Sequence, residues 1–173
     1  ELREVPSEIA IDVSPAMMQQ VMPVANDYIA IFTTGHDHPD VEPLLYDPGR
    51  SLIYGVNSLD DAKKRRAEVA VVSAAFTKFL GDWAHVRTIL AKDAATYGMD
   101  DFEKLTKARA QFLESEASML QFLIDHPQGW TLMEYKSGVS LPTYQDTAME
   151  QDLIKTMGVR DAAMKALRSV LPQ

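Results

Sequence analysis

The segment Gly35-His36-Asp37-His38-Pro39-Asp40, with Glu42 just beyond it, gathers two imidazoles and several carboxylates in a short stretch. Such groups held in one loop can converge on a divalent metal. In extended backbone His36 and His38 point the same way, so His36, His38 and Asp40 are the candidate metal ligands, with Glu42 in reserve. The same residues also suit a helix C-terminus and turn, where the negative end of the helix dipole favours a His cation. This second reading takes precedence: no cofactor is expected, and a divalent metal in the loop is the alternative.

Other chemistries find less support. The absence of Cys removes thiol nucleophiles, disulfides and Cys-ligated zinc. No Glu-x-x-His pair exists for a bundle di-metal site. Neither a Gly-x-Ser-x-Gly elbow nor a Ser-x-x-Lys helix start is found, and the 8 glycines are too scattered for a phosphate loop. His85 reads as a boundary residue beside the helical seam described next, and His126 as a helix C-terminal cation. No catalytic residue is assigned, and the chain is expected not to be an enzyme.

The elements that would hold these residues are helical. Val69, Phe76, Trp83, Leu90 and Tyr97 recur every seven residues, with Val72, Phe79 and Val86 at the matching position three residues on. That is the a/d seam of a long helix at a shallow crossing angle. Ser58 with Asp61 caps it and Gly98 ends it, which predicts close to forty residues, or roughly 60 Å. Asp100 with Glu103 starts an antiparallel partner whose stripe runs from Phe102 to Leu123. Ser14 caps an earlier helix over 15–33, which Pro23 inside it is expected to kink or split and which Gly35 ends. Residues 35–57, rich in Pro and Gly, read as a long loop with a short strand or turn at 52–56.

Around Lys136, Ser137 and Gly138 the apolar period changes, which predicts a β-hairpin over 129–142, anchored on the bundle by Trp130 and Leu132. Thr143 with Asp146 caps a last helix, broken at Gly158. Residues 1–13, in which Ile9, Ile11 and Val13 alternate, read as a tail or an extended N-terminal arm. The fold class is therefore all-α: an antiparallel bundle of about four helices, one very long, with a small β-hairpin before the last helix. One domain over 1–173 is expected.

Composition narrows the partners. Of 173 residues 46% are apolar, and 25 acidic against 17 basic side chains give a net charge of −8, which opposes nucleic acid and anionic bilayers. The one tight basic run, 63–66, winds around a helix start as a solvated surface. No apolar run is long enough to span a membrane. The chain opens on Glu1, from which removal of an upstream segment, such as a signal, is expected.

Three segments carry a resemblance: Asn26-Asp27-Tyr28-Ile29 with Gly35, Ala75-Phe76-Thr77-Lys78, and Gly138-Val139-Ser140-Leu141-Pro142-Thr143 with Gln145. In order and spacing they resemble a family of uncharacterised bacterial envelope lipoproteins, helical proteins of enterobacteria. The resemblance implies export and a periplasmic or lipid-anchored location through an upstream Cys; it supplies a location and not a mechanism, and carries no catalytic role over to any residue here. The resulting expectation is a non-enzymatic envelope protein that binds a protein partner through residues 35–57 and the hairpin. An immunity protein neutralising a basic secreted toxin is one alternative, and a metal-binding protein or metal-dependent enzyme built on His36 and His38 is another. A monomer is expected ahead of a homodimer, because the other helices have enough apolar surface to cover the seam.

Overall fold

The structure, a computed structural model, describes residues 15–90, 99–134 and 138–171. Its elements are α1 (Pro15–His36), α2 (Glu42–Tyr46), α3 (Leu59–Leu90), α4 (Met99–Asp125), β1 (Trp130–Glu134), β2 (Ser140–Tyr144) and α5 (Thr147–Val170). The chain is an all-α bundle with one long helix and a two-stranded antiparallel hairpin before the last helix. In space α3 packs between α1 and α4, and α5 covers the other flank of α4. The ion pairs Asp27–Lys78 and Asp40–Lys64 join α1 and its C-terminal turn to α3 in antiparallel order.

The heptad residues that lie in the described part of α3, from Val69 to Leu90, are all buried, while Tyr97 and Gly98 lie outside the described residues. Tyr28 of α1, Phe79 and Trp83 of α3 and Phe102 of α4 interlock with ring centroids 5.0–6.0 Å apart, mostly edge to face. Such contacts add to the transfer of apolar area from water. The described part of the seam is thus filled within one chain.

Several boundaries differ from the expectation. Helix α1 continues to His36, so Gly35 lies inside it. A Cβ at Gly35 would collide with the Leu45 side chain of α2, so this glycine sets the close approach of α2. The helix also passes through Pro23 without a break, and α5 passes through Gly158. Asp146 alone caps α5, accepting from the backbone N–H groups of Ala148 and Met149 at 2.9 and 3.0 Å. Thr143 is instead a strand residue, since β2 runs on to Tyr144. At the start of α3 Ser58 accepts from Asp61 N–H at 3.1 Å, while Asp61 caps Asn57 N–H at 3.2 Å and not that of Ser58. Asp100 is not a cap: it lies within the first turn of α4, where it and Glu103 bind Arg87. The arm at 1–13, the N-cap at Ser14 and the hairpin turn at Lys136 and Ser137 lie outside the described residues.

The largest difference concerns residues 35–57. Val41, Leu44, Leu45, Leu52, Ile53 and Val56 are buried, so the segment is a lid of core residues and not a free loop. It forms α2 and a turn over 52–55 in which Gly55 takes φ +74°.

Candidate functional site

His36, His38 and Asp40 are not brought together. The residues after Thr33 continue in helical turns: Asp37 N–H donates to Thr33 C=O, and Val41 and Glu42 N–H both donate to His38 C=O at 2.9 Å. Turns of this kind swing positions i and i+2 apart, whereas extended backbone aligns them. His36 Nδ1 lies 3.3 Å from Glu42 Oε1, and Asp40 accepts from Lys64 at 3.1 Å. Among the described residues no three His, Asp or Glu side chains gather in a way that could hold a metal. His85 is exposed on α3. His126 follows α4, its ring 4.5 Å from that of Phe122 and its carbonyl accepting from the Tyr144 hydroxyl at 2.8 Å.

A buried charge network, unforeseen in the sequence, joins α4, α5 and the lid. Glu116, with no exposed surface, accepts from Arg160 Nε at 2.7 Å, Leu52 N–H at 2.8 Å and Ser51 Oγ at 2.9 Å. Arg160 also donates to the carbonyls of Pro48 (3.1 Å) and Arg50, and its guanidinium lies 5.2 Å from the Phe112 ring centre. Burial pushes the Glu116 carboxyl up from its ordinary value, while Arg160 and the Leu52 N–H pull it back. From the other side Arg65 of α3 donates to Leu52, Tyr54 and Gly55 carbonyls. Two guanidiniums therefore satisfy carbonyls that no regular secondary structure pairs. The sequence does hold a sign of this: Glu116 stands four residues from both Phe112 and Leu120, and Arg160 stands seven from both Leu153 and Leu167, which puts charges on core faces.

A second buried guanidinium, that of Arg109 in α4, donates to the Tyr28 hydroxyl at 3.2 Å, and other polar clusters lie nearer the surface. Glu103 accepts from Lys107 at 2.6 Å, from Arg87 and from Trp83 Nε1 at 3.3 Å, and these partners, Lys107 first, hold its carboxyl below the usual range. A groove of about 350 Å³ between α3, α4 and α5 is lined by Arg66, Glu114, Gln121, Phe122 and Asp125, among others. Its carboxylates, Glu114 and Asp125, are exposed, and Asp125 accepts from the Gln121 amide at 2.8 Å.

The hairpin presents the least satisfied surface. Its register pairs Trp130 with Tyr144, Leu132 with Pro142 and Glu134 with Ser140. Pro142 has no N–H, Tyr144 N–H donates to Glu150 at 2.7 Å, and Ser140 C=O accepts from Gly55 N–H at 2.9 Å. These three positions therefore turn their backbone groups away from β1, and the ladder bonds are those of Thr131 with Thr143 and Met133 with Leu141. It follows that the N–H and C=O groups of Trp130, Leu132 and Glu134 point out of the far edge of β1, where no strand pairs with them among the described residues. Leu132 is 42% exposed, Met133 45% and Val139 38%. The anchor on the bundle is Tyr144, buried against Phe122 at 5.7 Å, its hydroxyl pushed up to about 12 by burial and the nearby Glu150. Of the two expected anchors, Trp130 packs part-buried against the core, its indole N–H without a hydrogen-bond partner among the described residues, while Leu132 stays exposed.

Compared with known proteins, the chain matches no family model, no curated protein and no solved structure at a significant level. Among the described residues no helix is long and apolar enough to cross a membrane.

Proposed function

We propose that this chain is a non-enzymatic helical protein of the bacterial cell envelope, periplasmic or lipid-anchored, that acts by binding a protein through its hairpin. One observation carries the contact surface: β1 offers an open row of backbone groups flanked by exposed Leu132 and Met133. Sheets usually blunt such an edge with Lys, Pro, a bulge or a covering element. The strand Trp130-Thr131-Leu132-Met133-Glu134 carries neither Lys nor Pro, and an extended segment of another protein can add to an edge of this kind. The envelope location is supported by the resemblance of the segments at 26–29, 75–78 and 138–143, and the non-enzymatic reading by the sequence, which lacks the motifs of nucleophilic and di-metal catalysis.

Residues 35–57 no longer serve as a second contact loop in this reading. Their apolar side chains face the core, apart from the exposed rings of Tyr46 and Tyr54.

The test is site-specific photo-crosslinking in cells producing the full-length gene product, with the probe at Met133 or at Val71. These two residues are similarly exposed, at 45% and 49%, on the hairpin and on α3. Discrete adducts from position 133 alone, recovered with the envelope fraction, are expected. Equal labelling from both positions would contradict the surface, and recovery with the cytoplasm would contradict the location.

A further inference from the structure

We infer that the open edge of β1 pairs with β1 of a second copy of this chain, extending the hairpin into a four-stranded antiparallel sheet across a two-fold axis. The inference rests on the reading of the hairpin as the contact surface and names the occupant of that surface.

The two edges of the hairpin differ. On the β2 side each outward position has one of its two groups taken or missing: Ser140 C=O accepts from Gly55, Pro142 has no N–H, and Tyr144 N–H donates to Glu150. On the β1 side Trp130, Leu132 and Glu134 carry outward donors and acceptors that nothing among the described residues occupies.

A second copy carries a strand that fits. In an antiparallel register centred on Leu132, that residue faces Leu132 of the second copy, Thr131 faces Met133, and Trp130 faces Glu134. Every outward N–H then meets an outward C=O, because positions 130, 132 and 134 share one hydrogen-bonding side. No like charges are opposed, whereas a parallel pairing would set the two Glu134 carboxylates side by side. The contact is small beside the roughly 1,200 Å² of a stable interface, and each copy carries −8. Association is therefore weak, and added salt strengthens it by screening the mutual repulsion.

The test is analytical ultracentrifugation of the full chain from about 10 μM to about 1 mM, at low and at high salt. The weight-average mass is expected to climb above the 19.3 kDa of one chain, further at high salt. Leu132→Pro removes an outward N–H without touching the ladder to β2, and Leu132→Lys sets two cations face to face on the axis. Both variants are expected to keep their helicity and to stay monomeric. A wild type that is monomeric throughout, or a dimer that survives both substitutions, would overturn the self-pairing. In either case crosslinks from position 133 to a different protein would leave the hairpin standing as a contact surface, and their absence would remove that surface as well.

Discussion

Glu116 places a carboxylate where no water reaches it, a burial that costs several kcal/mol per ion unless partners surround it. Arg160, Leu52 N–H and Ser51 supply those partners, and Arg160 in turn meets the Pro48 and Arg50 carbonyls. Arg160→Met removes the cation, leaving the carboxylate only the Leu52 N–H and Ser51 hydroxyl as donors and taking the Arg160 donors away from the Pro48 and Arg50 carbonyls. It is expected to lower unfolding free energy by about 3–5 kcal/mol in urea titration. Adding Glu116→Gln should then cost less than it does in the wild type, with a coupling of about 1–3 kcal/mol; strict additivity would show that the pair does not act as a unit. The two residues are 44 apart in sequence, so neither predicts the other. Only their placement on apolar stripes was legible. The His36, His38 and Asp40 grouping misled for a related reason, since its convergence assumed extended backbone that the turns after α1 do not adopt.

At the level of elements, periodicity carried the reading where packing and local pattern agree. The seam of α3 and the stripe of α4 locate real elements because each faces apolar neighbours, and the change of period locates the hairpin although most of β1 is exposed. The lid at 35–57 escaped notice because its order comes from distant groups: Arg65 and Arg160 hold its carbonyls, and Leu45 packs on Gly35. The helix glycines divide along the same line. A Cβ at Gly81 or Gly158 meets nothing within 4 Å and neither residue has positive φ. Gly81→Ala and Gly158→Ala are therefore each expected to raise stability by about 0.5–1 kcal/mol through helix propensity and the entropy of the unfolded chain, measured by thermal or urea unfolding. Gly35→Ala is expected to destabilise, as Leu45 must move. A stabilised Gly35→Ala variant would contradict the packing of α2 on α1.

For the whole molecule, the buried seam and the open strand define what remains for function. One chain fills its own core from Val24 in α1 to Leu167 in α5, and the heptad residues from Val69 to Leu90 are buried within it. What the sequence could not express was the polarity of the hairpin, because the alternation of apolar residues sets which faces are buried but not which edge is closed. That polarity depends on Gly55, Pro142 and Glu150, two of them outside the strands. The central claim is that β1 presents unpaired backbone in the isolated chain. Residue-resolved amide hydrogen exchange on a dilute sample tests it most directly. Protection at Thr131, Met133, Leu141 and Thr143, with rapid exchange at Trp130, Leu132 and Glu134, is the predicted pattern. Protection of Leu132 and Glu134 under those conditions would mean that the chain covers this edge itself, and the account of the hairpin as a docking strand would fail.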